Sequence, residues 1–358
     1  MAVFSFQTIT AAEAAGYNGA TDSLQFGAGS ATGVVVAFQT SPDQAALTFG
    51  GRTVTFGTGV FSDLDLMFAS GGRLYVGGTG ADNAAGTGAD DGLFGGAGGD
   101  TMDGGAGPDL LQGNQGDDSL VGGAGNDSVY GGQDNDTIVL GSAAGEANWS
   151  NGNKGNDTIA ASNGTDTILG GQGNDSIVAG SGGDLLDGNL GDDTIRGGSG
   201  VDTIIGEGGY DVLTGGGGAD LYVFAAGSSD LDFALADRIT DWLVGDRLSV
   251  GLTGGYTEVV SNTAAAPAPP PADPYGYGYI YGVDTSDPAQ AAASQGEFSA
   301  ALTAANTALG ADAALRIVAA KAGSDVAVFV DSNGDHLADF GFVLVGVTLD
   351  NISAANFV

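Results

Sequence analysis

The chain contains no cysteine. Disulfides, thiolate metal sites and cysteine nucleophiles are therefore excluded. It contains a single histidine, His336, so a His–His metal site within the chain is excluded as well. Basic residues are scarce: 8 Lys plus Arg stand against 44 Asp plus Glu, for a formal net charge of −36. Nucleic acid is a poor partner for such a chain, because phosphate backbones are held by Lys and Arg. An anionic membrane surface is a poor partner for the same reason. No apolar run approaches membrane-spanning length, so no membrane insertion is expected. The first residues, MAVFSFQTITAAEAAGY, lack the basic start and apolar core of a secretory signal peptide, which implies an export route that does not use one. No G-x-S-x-G or H-E-x-x-H motif occurs. These gaps argue against an enzyme.

What is abundant is glycine, at 68 of 358 residues, and aspartate, which outnumbers glutamate 39 to 5. The acidity does not imply disorder, because 42% of the residues are hydrophobic. From Gly77 the chain divides into blocks of nine, such as GGAGPDLLQ, GNQGDDSLV and GGAGNDSVY. Seven blocks run to Val139, twelve residues (140–151) break the register, and eight more run from Gly152 to Val223. All fifteen place Asp sixth and an apolar residue eighth. The glycines suit a tight turn. Places seven to nine read as a short strand with its eighth residue inward. One block makes a turn and a strand, and two make a coil of eighteen residues. A single coil cannot bury its apolar face, so coils must stack.

Stacking brings Asp carboxylates of successive coils to strand spacing, about 4.8 Å. Such rows repel without a cation, and hard oxygen donors in flexible geometry select Ca²⁺ over Mg²⁺. Eighteen-residue pairing joins Asp82 to Asp100, Asp91 to Asp109, Asp100 to Asp118, Asp109 to Asp127 and Asp118 to Asp136. Beyond the break it joins Asp157 to Asp175, Asp166 to Asp184, Asp175 to Asp193, Asp184 to Asp202, Asp193 to Asp211 and Asp202 to Asp220. Eleven ions in eleven pairs would offset twenty-two of the 36 net negative charges. Asp127 and Asp157 are thirty residues apart, which is eighteen plus twelve. One roll with 140–151 looped out is favoured over two rolls, because an exposed strand edge is a liability.

These blocks resemble the repeat-in-toxin (RTX) family of type I secreted, hemolysin- and serralysin-like proteins. The family nonapeptide GGxGxDxUx, U being a large apolar residue, implies a calcium-bound parallel β-roll. GGAGNDSVY (122–130) and GGQGNDSIV (170–178) match it at every defined place. Ala84 in block 77–85, the missing leading glycines of block 161–169 and Asp134 in block 131–139 depart from it, and weaker sites are expected there. DRITDWLVGDRLSV (237–250) resembles the segment that closes the roll in serralysin-type proteins, and Asp241 and Asp246 are possible further ligands. The family's zinc protease domain has no counterpart. The ending LDNISAANFV resembles the uncleaved export signal read by type I secretion machinery.

The expected fold class is all-β, a calcium-bound parallel β-roll with a small N-terminal β cap and a C-terminal α+β secretion domain. The cap takes 1–76, the roll 77–223, the closing segment 224–252, a Pro/Tyr-rich linker or exchange strand 253–296 and the C-terminal domain 297–358. In the cap, GVVVAFQT and GRTVTFG alternate like strands, and Thr10-Ala11-Ala12-Glu13 fits a helix capping box. AAAPAPPPADP is a stiff spacer. The tyrosines that follow it, Tyr275, Tyr277, Tyr279 and Tyr281, would line one strand face. They could form an edge strand within the chain, or contact a neighbouring subunit or cell-surface polysaccharide. In the last domain EFSAALTAANTAL reads as a helix, DVAVFV and FGFVLVG as strands. Asp331, Asn333 and Asp335 between those strands begin like an EF-hand loop, but His336 stands where Gly is wanted, and a β-turn fits better. The functional expectation is a secreted calcium-binding structural protein that self-assembles into a surface layer, matrix or filament. The alternatives are a calcium-dependent adhesin and, less favoured, a polysaccharide-modifying enzyme.

Overall fold

In a computed structural model, the structure describes residues 70–141, 145–161, 163–225, 229, 236–243, 245–250, 294–311, 317–322, 325–335, 337–347, 352 and 356–357, and the stretches 3–5, 23–25, 34–38, 45–49, 52–55, 64–68, 259–262 and 280–283. The chain divides into two compact units, Met1–Gly180 and Ser181–Val358, each described by itself.

In the first unit the nonapeptides build two parallel stacks. One contains Asn83–Thr87, Thr101–Ala106, Ser119–Ala124, Thr137–Val139 and Thr158–Ala160. The other contains Arg73–Val76, Gly92–Ala97, Leu110–Gln115, Ser128–Gln133, Trp149–Lys154 and Thr167–Gln172. The register is the expected eighteen, as in Thr101↔Ser119 and Leu110↔Ser128. Most strands are six residues long rather than three. They continue from places seven to nine into places one to three of the next block. The two-residue alternation then sends place eight and the place-one glycine inward together, as Met102 and Gly104 show. Met102, Leu111, Leu120, Val129, Ile138, Ile159 and Ile168 form the thin core, all fully buried. Place two takes positive φ. Gly fills it at Gly105 (98°) and Asn at Asn114 (84°) and Asn153 (77°), since Asn tolerates the left-handed region best after Gly.

Two boundaries differ from the expectation. The break at 140–151 is not a twelve-residue loop. Ser128 pairs with Trp149 and Thr137 with Thr158, each twenty-one apart, so one coil carries three extra residues. Trp149-Ser150-Asn151 serves as places seven to nine, with Ser150 inward and fully buried. Looping out all twelve residues would have left a coil short of one strand and its ladder hydrogen bonds unmade. The roll also starts before Gly77. Tyr75 pairs with Leu93, and Arg73 takes the sixth place where later blocks have Asp. Leu64–Met67 lies antiparallel on that first strand and covers the sheet edge. Ahead of it stand a parallel pair, Val3–Ser5 with Ser23–Gln25, and an antiparallel meander, Val35–Phe38, Ala45–Phe49 and Arg52–Thr55. The capping box at 10–13 lies outside the described residues.

The second unit repeats the two stacks. Leu185–Leu190, Thr203–Gly208, Leu221–Val223 and Arg247–Ser249 form one. Thr194–Ser199, Val212–Gly217, Arg238–Ile239 and Phe340–Leu344 form the other. The closing segment supplies the last rungs at a spacing of twenty-six, in Val212↔Arg238 and Leu221↔Arg247. Phe340–Leu344 then pairs antiparallel with Asp325–Val330, which pairs with Ile317–Ala322. The helix Ser294–Ala311 covers this sheet, packing Ala301, Ala305 and Leu309, spaced by four, against Val318, Ala320 and Phe329. Phe357 bridges Leu248 on the last strand of the other stack. The strand Ile280–Val283, which includes Tyr281, pairs with Val259–Asn262 and through Ile280 with Ile317. Tyr281 therefore lies on a strand paired within the chain. Tyr275, Tyr277 and Tyr279 lie outside the described residues. Among the described residues no helix is long and apolar enough to cross a membrane.

Truncation of the inward row tests the fold. Ile138→Ala removes a fully buried side chain and is expected to cost about 2–5 kcal/mol. Val139→Ala, one residue on and 42% exposed, is expected to change stability by less than about 1 kcal/mol. Urea unfolding of both variants at one fixed calcium concentration makes the comparison.

Candidate metal centres along the roll

The sixth-place aspartates from Asp91 onward are almost completely buried, and Asp82 is partly exposed. Asp91, Asp109, Asp127, Asp136 and Asp157 in the first unit, and Asp202, Asp211 and Asp220 in the second, expose 2% or less of their surface. Strand pairing sets them in rows. Within each row the amide of one Asp donates to Oδ1 of the Asp one coil later. The distances are 2.8 Å for Asp82 to Asp100, 2.8 Å for Asp91 to Asp109, 2.7 Å for Asp100 to Asp118 and 2.9 Å for Asp118 to Asp136. Asp109 to Asp127 (2.9 Å) and Asp157 to Asp175 (2.7 Å) continue the pattern in the first unit. Asp184 to Asp202, Asp193 to Asp211 and Asp202 to Asp220 repeat it in the second. The eighteen-residue pairing is thus present as an amide-to-carboxylate bond.

In nine of these aspartates the second carboxylate oxygen has no hydrogen-bond partner. Oδ2 of Asp100, Asp109, Asp118, Asp127, Asp136 and Asp157, and of Asp202, Asp211 and Asp220, is buried without a hydrogen bond. It faces the place-one glycine of its own block. A Cβ on Gly113 would stand 2.0 Å from Asp118 Oδ2 and 2.7 Å from the carbonyl oxygen of Gly131 on the next coil. Gly131 and Gly152 repeat the arrangement with Asp136 and Asp157, and Gly197 repeats it with Asp202 and the Gly215 carbonyl. A carboxylate oxygen and a main-chain carbonyl of the neighbouring coil converge on a space kept open by the absence of a side chain. Orphaned anionic oxygen beside carbonyl oxygen is the donor chemistry of a hard divalent cation. Among the described residues no cluster of three or more His, Cys, Asp or Glu side chains occurs.

The metal-free rows are electrostatically costly. Burial pushes Asp109 and Asp118 up to about 7 and Asp136 up to about 8. The accepted backbone amide opposes the rise, and neighbouring carboxylates add to it, Asp157 and Asp118 in the case of Asp136. Asp100, Asp202 and Asp211 rise to about 6, again chiefly through burial.

Other candidate ligands are placed differently. Asp241 lies outside the rows and accepts the amides of Gly215 (2.9 Å) and Gly216 (2.7 Å) and the Tyr222 hydroxyl (3.3 Å). Asp246 extends a row, accepting the Asp220 amide at 3.0 Å, and its other oxygen accepts the Leu243 amide. Asp237, absent from the sequence-derived set, extends the other row by accepting the Asp211 amide at 2.9 Å, and its Oδ2 is orphaned. The signal was legible: Asp237-Arg238-Ile239 repeats the Asp-x-apolar order of places six to eight. In the first coil Asp91 accepts the amides of Arg73 and Thr87, so both its oxygens are engaged. Asp82 accepts the Gly78 amide through Oδ2. Asp134 takes positive φ (74°) and accepts the Gly116 amide. The loop at 331–339 joins two antiparallel strands and turns its acids onto its own backbone. Asp331 accepts the Gly334 amide, Asp335 the Leu337 amide, and Asp339 those of Ser332 and Asn333. Asn333 Oδ1 accepts the Asp335 amide, an Asx turn. His336 lies outside the described residues.

A family model described as the RTX calcium-binding nonapeptide repeat matches residues 76–111, 112–144, 142–177, 169–204, 178–213 and 196–231. No curated protein matches the chain.

Two outcomes are expected. In chelator, the raised carboxylates favour the protonated fold. The fold is then most stable below the unfolded carboxyl value near 3.9 and loses that stability as pH rises through about 6 to 8. Circular dichroism on a pH series in chelator should show the metal-free roll weakening across that window, and saturating calcium should abolish the dependence. Gly113→Ala places a methyl group in the space between Asp118 and Gly131. It should raise the calcium concentration at the folding midpoint at least several-fold, read by calorimetric titration.

Proposed function

Because the chain is an RTX β-roll protein that carries calcium-binding repeats, we propose that it is a secreted, non-catalytic structural protein whose roll folds on extracellular calcium and then assembles with copies of itself. RTX repeats are typical of secreted proteins. The observation that carries the reading is the row of buried carboxylates whose Oδ2 atoms have no protein partner. Such a row opposes folding where calcium is scarce and favours it where calcium fills the spaces. Extracellular modules bind calcium at roughly 10⁻⁴–10⁻³ M. A chain synthesised at low calcium stays unfolded and suits export through a narrow channel, and binding energy then becomes folding energy outside the cell. The sixth-place carboxylates of the rows and the glycine carbonyls facing them are the ligands in this reading.

A structural role fits the way the acids outside the rows are held. The acids outside the rows, Asp241 and the 331–339 group, are engaged by backbone amides.

A calcium titration of the full chain, read by circular dichroism and light scattering on one sample, tests the proposal. Little structure in chelator, folding near millimolar calcium and growth into large regular particles are expected. Folding without growth would overturn self-assembly and leave a monomeric calcium-binding protein. An unchanged spectrum from chelator to millimolar calcium would overturn the calcium switch.

A further inference from the structure

The coil with three extra residues departs from the repeat at both points that matter for a cation, whereas block 161–169, with Ala161 at place one, keeps its Asp at place six. Leu140 holds place one. Its amide donates to the Ala160 carbonyl at 2.8 Å, the bond that Gly77 makes with Phe94 at 2.7 Å. Elsewhere in this unit a Cβ on the place-one glycine would stand 2.0–2.7 Å from Oδ2 of the aspartate five residues on. Here a real leucine side chain fills that position and is 2% exposed.

Asn148 holds place six. Its Oδ1 accepts the Asp127 amide at 2.8 Å, and its own amide donates to Asp166 Oδ1 at 2.9 Å, so the hydrogen-bonded row continues through it. The accepted amide sets the orientation of the side chain, because only its oxygen can accept. The Nδ2 group is left buried without a partner, where the aspartates have an orphaned oxygen. An N–H donor and a leucine methyl thus replace an anionic oxygen and an open space. Glu146 brings its carboxylate to a different point: a Cβ on Gly141, next to Leu140, would stand 2.6 Å from Glu146 Oε2 and 2.2 Å from the Gly123 carbonyl oxygen. Its Oε1 accepts the Gly125 amide at 2.7 Å. In regular coils that bond goes to a main-chain carbonyl, as from Gly107 to Ala124 at 2.7 Å. The glutamate oxygen takes the acceptor role that a main-chain carbonyl has for Gly107.

We propose that the row position held by Asn148, with Leu140 in the place of the glycine, takes no calcium. The row through Asp109, Asp127 and Asp166 is interrupted at Asn148, while the row through Asp118, Asp136 and Asp157 runs on. Calcium then serves the second row through this coil, while the first row passes through it on the Asp127-to-Asn148 and Asn148-to-Asp166 hydrogen bonds, with Leu140 filling the space. The inference rests on the reading that the orphaned Asp oxygens hold calcium in the regular coils.

Crystals of the full chain grown in calcium, with anomalous difference maps collected at long wavelength, test it. Peaks are expected beside Oδ2 of Asp118 and Asp136 and none beside Asn148. A peak at Asn148 alongside the others would overturn this inference alone. No peak at any coil would overturn the reading of the rows and this inference with it. Ion counting by native mass spectrometry adds a second readout. Asn148→Asp combined with Leu140→Gly should bind one calcium more than the parent, and an unchanged count in the folded double variant would count against the proposal. Glu146→Gln should keep the parental count, and the loss of one ion would show that Glu146 holds calcium there.

Discussion

Carboxylates stacked at the spacing of a parallel sheet cannot all stay ionised and buried without a counter-charge. Neighbours about 4.8 Å apart repel by roughly 3 kcal/mol at an effective dielectric near 20. The roll brings its aspartates to that spacing because each is tied to the next coil by an amide-to-Oδ1 bond of 2.7–3.0 Å. The same bond that sets the register concentrates the charge. The thin apolar row cannot escape this, since its packing requires the strand pairing that stacks the acids. Core, hydrogen bonding and electrostatics are therefore one coupled problem, and calcium is the term that resolves it.

Glycine has two separable tasks in this arrangement. At place two it supplies the positive φ that lets the strand enter the turn, and Asn114 and Asn153 perform the same task. At place one it faces inward and keeps open the space where Oδ2 and a neighbouring carbonyl converge. The second task depends on the missing side chain, and Leu140 shows what happens when a side chain is present. Edges are managed by covering them. Leu64–Met67 lies on the first strand, Phe340–Leu344 lies beside Arg238–Ile239, and Phe357 bridges Leu248. Arg73, in the place of the first aspartate, puts a cation at the start of a row of anions.

Much of the site was legible because it repeats. Fifteen copies of Asp at place six and an apolar residue at place eight announce a solenoid, an inward row and a set of oxygen donors, and the eighteen-residue spacing follows from two turns per coil. The coil at 140–151 was misread because it lacks both markers, with Asn148 for Asp and Ser150 for the apolar residue. Backbone pairing kept that coil in register all the same, since main-chain hydrogen bonds do not depend on either side chain. The strand at Arg73 was missed because Arg replaces the aspartate there, although Tyr75 fills the eighth place. Asp237 was legible in Asp-Arg-Ile but fell after the counted repeats.

By itself the sequence determined the parallel roll, the rows of acids and the demand for a hard cation, because a short period encodes local turn, local strand and neighbour contact together. Tertiary structure alone decided which oxygen of each carboxylate stays free. That choice depends on an amide eighteen residues earlier in the chain and on the inward direction of a glycine, and neither is a property of one block. It also decided that the extra residues number three and that the 331–339 acids close on their own amides. Hydrogen-bond partners across coils and loops are set by three-dimensional register, which a one-dimensional pattern constrains only where the pattern is unbroken.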